Sequence, residues 1–264
     1  MSPRRHACVG SGVRGREQTV SRRLRIGVFV PAGNPTVEPE LYRMAPHDVT
    51  VHFARLDSGA GVPGAPDAME RRTLGYLDAL PAASRALAAV EPTAVLLAHT
   101  AVSYLNGFAG EPKLMEHLAT LTSAAATTAA AAVRAALMHL GVKRIALATP
   151  YPESISKAGR AFWEAAGFEV VGYRRLEDVA NIYTETEERA YALGRAADVP
   201  AAQALVISGT GLPTVGIIDR LERDLGKPVI TSQQAGLWRA LQLAGLKVSV
   251  PGFGRLLRDG GGST

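Results

Sequence analysis

Two stretches of this 264-residue chain nearly repeat each other: AVLLAHT, Ala94 to Thr100, and ALVISGT, Ala204 to Thr210. Each is a short apolar run that breaks into hydroxyl-bearing residues, the pattern of a buried strand leaving its sheet. The next-to-last position is His99 in one and Gly209 in the other. Two further pairs occur in the same order. RIGVFVP (Arg25–Pro31) matches RIALATP (Arg144–Pro150), and the Thr-Ser steps Thr122–Ser123 and Thr231–Ser232 each precede an alanine-bearing helical pattern. The economical reading is duplication, two similar α/β units each built on a parallel sheet.

The rest of the chain fits that plan. Apolar runs predict strands at Arg25–Val30, Val49–Leu56, Ala94–Ala98, Arg144–Thr149, Glu169–Leu176, Ala204–Ser208 and Pro228–Thr231. Helical patterns predict helices at Ala68–Val90, Ala124–Leu140, Ser154–Ala166, Thr186–Ala197, Val215–Leu225 and Gln234–Ala244. Gly141, Gly167, Gly226 and Gly245 each follow a helical pattern, as C-terminal caps do. Alternating strands and helices argue for parallel βα units. In an open parallel sheet, ligands bind beyond the carboxyl ends of the strands. Two facing units would bring His99-Thr100 and Gly209-Thr210 to one small ligand from opposite sides.

Composition narrows the function. The formal charge of +5 invites a nucleic-acid reading, but residues 1–25 hold seven Arg and one Glu and leave the remainder at about −1. Nucleic acid is therefore not an expected partner. The basic segment predicts a disordered tail over 1–24, with a targeting segment or an over-long start as the alternatives. A hydrophobic fraction of 47% and a charged fraction of 20% are those of a globular protein. No apolar run is long enough for a membrane span, so a cytoplasmic protein is expected. The single cysteine, Cys8, lies in the basic segment. The folded part thus has no disulfide framework, thiolate metal site or cysteine nucleophile.

The hydroxyls and backbone N–H groups after the two repeated strands suit an anion. Thr100, Ala101 and Ser103 follow the first; Thr210, Gly211 and Thr214 follow the second. As single residues they read as helix caps; as a symmetric pair they read as a carboxylate cradle. Asn34, Tyr151 and Asn181 stand after other strands, Tyr151 either as a phenol donor to a carboxylate or as a rim aromatic. GSGVRG (Gly10–Gly15) follows no strand. GAGVPG (Gly59–Gly64) meets Pro63 and Pro66 where a helix would have to open, so it reads as a mobile loop, a lid over the cleft, rather than a phosphate loop. No metal-ligand spacing is present.

Five motifs carry a family resemblance: VPAGNPTVEPE (30–40), LLAHTAVSYL (96–105), GVKRIALATPY (141–151), VISGTGLPT (206–214) and GKPVITSQQAGLW (226–238). Together they resemble the aspartate/glutamate racemase superfamily, and within it the maleate cis-trans isomerase and arylmalonate decarboxylase branch, from Arg25 to about Gly245. The resemblance implies an α/β fold of two pseudo-symmetric Rossmann- or flavodoxin-like parallel-sheet lobes with the active site in the cleft between them. It sets lobe 1 at 25–122, completed by the C-terminal helix region of about 232–250, and lobe 2 at 123–231. It implies no cofactor and no metal, a small carboxylate or dicarboxylate substrate, and room for a homodimer or higher homo-oligomer.

By motif, the family's two cysteines fall on His99 and Gly209, and both are absent. Asn34, Thr100, Tyr151, Asn181 and Thr210 match its carboxylate-holding and hydrogen-bonding positions. The expected catalytic set is therefore His99, Tyr151 and Thr210, with Asn34, Thr100, Ala101, Asn181, Gly209 and Gly211 binding substrate. His99 is the candidate acid/base, and the bare Gly209 suggests space for a bulkier substrate. The expected activity is isomerase- or decarboxylase-type proton chemistry through an enediolate-like intermediate. Two alternatives stay open: an inactive family member that binds a carboxylate, and a hydrolase or hydratase whose His99 activates water.

Overall fold

The structure, a computed structural model, describes residues 24–59 and 66–260. The basic segment with Cys8 and most of the GAGVPG loop lie outside the described residues. Among the described residues, eight parallel strands form two sheets. β1 (Leu24–Pro31), β2 (Val49–Leu56), β3 (Ala94–Leu97) and β4 (Ala125–Thr128) make the first, in the order β2-β1-β3-β4. β5 (Arg144–Thr149), β6 (Glu169–Arg175), β7 (Ala204–Ile207) and β8 (Val229–Thr231) make the second, in the order β6-β5-β7-β8.

The helices of the first half are α1 (Val37–Met44), α2 (Pro66–Ala88), α3 (Thr100–Asn106) and α4 (Glu111–Thr122), followed by α5 (Ala129–His139). Those of the second are α6 (Glu153–Ala165), α7 (Glu187–Ala197), α8 (Ile218–Leu225), α9 (Ser232–Leu243) and α10 (Gly254–Arg258).

The duplication holds in register as well as in order. Ile26–Phe29 pairs with Ala94–Leu97 as Ile145–Ala148 pairs with Ala204–Ile207. The next backbone bond also matches: Ala98 N donates to Phe29 O and Ser208 N to Ala148 O, both at 2.9 Å. The two α/β halves are thus the same device, and the expected fold class is borne out. The four expected capping glycines all have positive φ, at 66°, 88°, 69° and 78°.

One helix expectation is corrected. Ala124–Leu140 was expected to be helical throughout, yet Ala125–Thr128 is β4, paired with Ala94–Leu97. Thr122 ends α4, and Ser123 takes a left-handed turn at φ 52°. The partner of Thr231 in the repeat is therefore Thr128. Each caps the helix after its strand, Thr128 accepting from Ala131 N and Thr231 from Gln234 N. Alanine is a poor strand former and a good helix former. Only pairing with β3, which no local pattern carries, makes AATT a strand.

Both faces of each sheet are buried, as all-parallel sheets require. One core joins the halves, running from Ile26, Val28 and Val30 through Val133 and Leu137 to Ile145, Leu147 and Leu237. Outer cores cover the far faces, around Phe29, Leu80 and Leu97 on one side and Ala148, Ile207 and Leu221 on the other. Helices α5 and α9, one from each half, pack together across the join. No helix among the described residues is long and apolar enough to cross a membrane.

Candidate active site

The carboxyl ends of β3 and β7 meet. Thr210 Oγ1 donates to Ala98 O at 2.8 Å, so the turn after β7 is tied to the turn after β3. Thr100 Oγ1 lies 3.1 Å from Ser232 Oγ, which also accepts from Gly209 N at 3.1 Å. Tyr104 OH bonds Ser208 Oγ at 2.7 Å and accepts from Trp163 Nε1 at 2.9 Å. Asn34 Oδ1 accepts from Thr36 N and Val37 N, and its Nδ2 donates to Thr210 O at 3.2 Å. Thr36 Oγ1 donates to Gly211 O at 3.0 Å. Asn34, Thr36, Tyr104 and Thr210 thus each reach across to the turn that ends a strand of the other half.

His99, 7% exposed, is the N-cap of α3, its Nδ1 accepting from Val102 N at 3.3 Å. A nitrogen that accepts carries no proton, so the neutral ring bears its hydrogen on Nε2. Burial first, and then the positive charge of Arg72, lowers the imidazole from 6.5 to about 3. His99 is therefore uncharged in the free protein at neutral pH. Its ring stands edge-on to that of Tyr76, with centroids 5.0 Å apart.

Tyr151 is buried, not a rim aromatic. Its phenol stands beside the Thr100 hydroxyl and the Ala101 N–H, and burial pushes it far above the ordinary phenol range, so it is a neutral donor. Asn181 is drawn less closely into this group. Its Oδ1 accepts from Tyr183 N at 3.0 Å, starting the short 3-10 turn Ile182–Thr184. That turn carries Tyr183 over both strand ends: a Cβ on Gly33 would lie 3.5 Å, and one on Gly211 2.8 Å, from its ring. Of the expected catalytic hydroxyls, Thr210's is spent on the strut to Ala98. Asn34 likewise uses both ends of its amide as a brace.

Gly209 corrects a second expectation. The missing side chain opens no room, because a Cβ there would come within 2.6 Å of Pro150 Cγ and 2.9 Å of Cδ. Its φ of 101° also lies where residues with a Cβ are strained. Placing a side chain there with Gly209→Cys is expected to destabilise the fold by about 1–3 kcal/mol in urea unfolding. A variant as stable as the parent would show that Pro150 and the turn shift freely.

Sequence reasoning missed several members of this neighbourhood. Ser232 was noticed only as a helix opening, and Glu40 only as part of a motif. Tyr76 and Arg72 stand one turn apart on α2, where nothing in their spacing separates them from an ordinary amphipathic face. Glu40 is 4% exposed, and its Oε1 accepts from Thr214 N at 2.6 Å and Val215 N at 2.9 Å, pinning the turn after β7 to α1.

Comparison with known proteins places this geometry. A maleate isomerase of Nocardia farcinica is 32% identical over 252 residues, covering 89% of this chain and 96% of the relative. The arylmalonate decarboxylase of Bordetella bronchiseptica is 30% identical over 244 residues, with coverage of 89% and 96%. Among solved structures, a mutant Nocardia farcinica maleate cis-trans isomerase with a covalently bound succinylcysteine intermediate matches with a TM-score of 0.80 at 27% identity, covering 89% of this chain and 98% of that one. An arylmalonate decarboxylase structure matches at 0.68 and 30% identity, covering 88% and 98%. The family model described as arylmalonate decarboxylase matches residues 26–257, from β1 to α10. Because that match takes in both sheets and the joined strand ends, the chain as a whole belongs to the arylmalonate decarboxylase family.

Proposed function

We propose that this protein is an isomerase or lyase acting on a small carboxylic acid where the two strand ends meet, without cysteine chemistry. The observation that carries the reading is the meeting of an imidazole, a hydroxyl and a phenol from two strand ends, His99 and Thr100 after β3 with Tyr151 after β5, in a family whose relatives include maleate isomerases and an arylmalonate decarboxylase. Both reaction classes can pass through an enediolate formed next to a carboxylate. Its two oxygens need donors fixed in advance, and Tyr151 OH, Thr100 OH and the Ala101 N–H are such donors. His99 handles the proton at Nε2. In the resting tautomer Nε2–H donates a hydrogen bond. To accept a proton there, the ring moves its hydrogen to Nδ1 and gives up the bond to Val102 N, a cost of about 1 kcal/mol.

The test is a thermal-shift screen of mono- and dicarboxylates, including malonates, maleate and acidic amino acids, followed by proton NMR of each hit in deuterium oxide. Deuterium at the carbon beside the carboxylate, geometric conversion, or loss of carbon dioxide with deuteration is the expected result. A second reading, a protein that binds an acid without turning it over, is favoured by the depressed basicity of His99 and the packed Gly209. A hit recovered unchanged and undeuterated would establish that reading instead, and a hydroxy-acid product would mean water addition.

A further inference from the structure

We propose that Ser232, the first residue of α9, is a positioning residue: it fixes the direction of the Thr100 hydroxyl, so that Thr100 keeps its proton for a bound acid. This rests on the functional reading above and adds to it a residue that itself touches no substrate.

Ser232 stands where the two strand ends are tied. It is 1% exposed, and Thr100 is fully buried. Its Oγ lies 3.1 Å from Gly209 N, in the turn after β7, and 3.1 Å from Thr100 Oγ1, in the turn after β3. Thr100 and Ser232 hold equivalent places, each the first residue of a helix that follows a strand. Neither hydroxyl is needed as a cap. His99 Nδ1 accepts from Val102 N at the start of α3, and Thr231 closes a capping box with Gln234 at the start of α9. The box fixes the backbone at Ser232, and with it the bearing of the free hydroxyl.

Counting protons then sets the direction of the chain of bonds. A backbone N–H can only donate, so Ser232 Oγ accepts from Gly209. Among the described residues its one other hydrogen-bond partner is Thr100 Oγ1. Ser232 therefore donates to Thr100, since the reverse would leave the Ser232 proton buried without an acceptor. A hydroxyl that already accepts is a better donor, so each bond in the chain from Gly209 to Ser232 to Thr100 strengthens the next. The Thr100 proton is turned away from Ser232. It is left for the Tyr151 phenol beside it or for an oxygen of the acid. The Gly209 N–H, by contrast, is spent inside the protein and is not offered to a ligand. A donor whose direction is set beforehand is the kind that stabilises an enediolate oxygen as its charge develops.

The test is a double-mutant cycle of Ser232→Ala and Thr100→Val, with Ser232→Thr as the variant that keeps the hydroxyl. Turnover of phenylmalonate and maleate is followed by proton NMR in deuterium oxide. Ser232→Ala is expected to lower kcat about 10-fold and to leave KM within about 3-fold, because a directed donor matters most in the transition state. Thr100→Val itself should lose about 100-fold, which leaves a rate to measure. In that background Ser232→Ala should cost less than about 2-fold more, because no hydroxyl remains to be directed. Ser232→Thr should keep most of kcat. A serine that merely braced the strand ends would cost the same in both backgrounds, and an equal loss overturns the orienting role. So does a Ser232→Ala variant as fast as wild type, or a Ser232→Thr variant as slow as Ser232→Ala at an unchanged urea midpoint. Calorimetry with the same two acids separates this role from the functional reading. If wild-type protein binds an acid but converts neither, the catalytic reading falls and the cycle is read in Kd. A loss of about 3- to 10-fold on Ser232→Ala that vanishes in the Thr100→Val background then supports the orienting role. An equal loss in both backgrounds, or none, removes it. If wild-type protein binds neither acid, both ideas fall.

Discussion

His99→Asn is expected to lower kcat by about 10²- to 10⁴-fold, the range for loss of a positioned proton-transfer group, while a bound carboxylate still stabilises the protein. Asparagine can accept from Val102 N as the imidazole does and is a good N-cap, so the start of α3 survives and the loss reports chemistry rather than folding. The pH dependence carries a second signature. In the free protein the imidazole is held at about 3 by burial and by Arg72. A bound acid opposes the shift, because negative charge beside the ring favours its protonated form. The acidic limb should therefore lie at higher pH in kcat, which reports the complex, than in kcat/KM, which reports the free protein. If His99→Asn keeps kcat within a few-fold and only His99→Ala loses it, the ring donates a hydrogen bond and moves no proton. If both variants turn over normally, the imidazole has no part in the reaction.

What could be read from the sequence follows from what each feature depends on. Strands β1, β3, β5 and β7 each carry an apolar run of four or more residues because both faces of each sheet are covered, and such runs announce themselves. The strand-end turns were legible for the same reason: a buried run that breaks into polar residues or glycine marks where the strand leaves its sheet, which is where His99, Thr100, Asn34 and Gly209 stand. Strand β4 was not, because Ala125–Thr128 lies in an alanine-rich run of helical character, and its pairing with β3 decides it as a strand. Tyr76 was not, because its contact with the His99 ring arises from the packing of α2 on α3, which no local pattern carries. Gly209 shows the limit of subtraction. Removing a side chain suggested a hole, but Pro150 packs where the Cβ would stand. Thr210 and Asn34 were placed correctly at the junction, yet their polar groups are used in bonds that tie one half to the other. Position could be read from one sequence; the partner of each hydroxyl could not.

Those ties make the stability of the protein depend on two buried groups with opposite signs. Burial, helped by the charge of Glu187, raises the Glu40 carboxyl from 4.5 to about 7, and its Oε2 is buried without a partner, where a proton is favoured. Between pH 4.5 and 7 the folded protein keeps a proton that the unfolded chain has released. The stability from Glu40 is thus fully present below 4.5 and is lost as pH rises through 7. His99 runs the other way. Its folded value of about 3 lies below 6.5, so its contribution is fully present above 6.5 and is lost as pH falls toward 3. From 4.5 to 6.5 the two slopes, each about 1.4 kcal/mol per pH unit, oppose one another. Removing either group should expose the other. Across that window Glu40→Gln is expected to gain about 3 kcal/mol with rising pH relative to wild type, and His99→Asn to lose about 3 kcal/mol. The double variant should track the wild-type slope. Urea midpoints at pH 4.5, 5.5 and 6.5, each read as a difference from wild type, cancel the shared contributions of Glu111 and Glu222, whose carboxyls burial also raises. A Glu40→Gln profile parallel to wild type would mean that this carboxyl is ionised at the junction of the two halves, with water or a cation reaching Oε2.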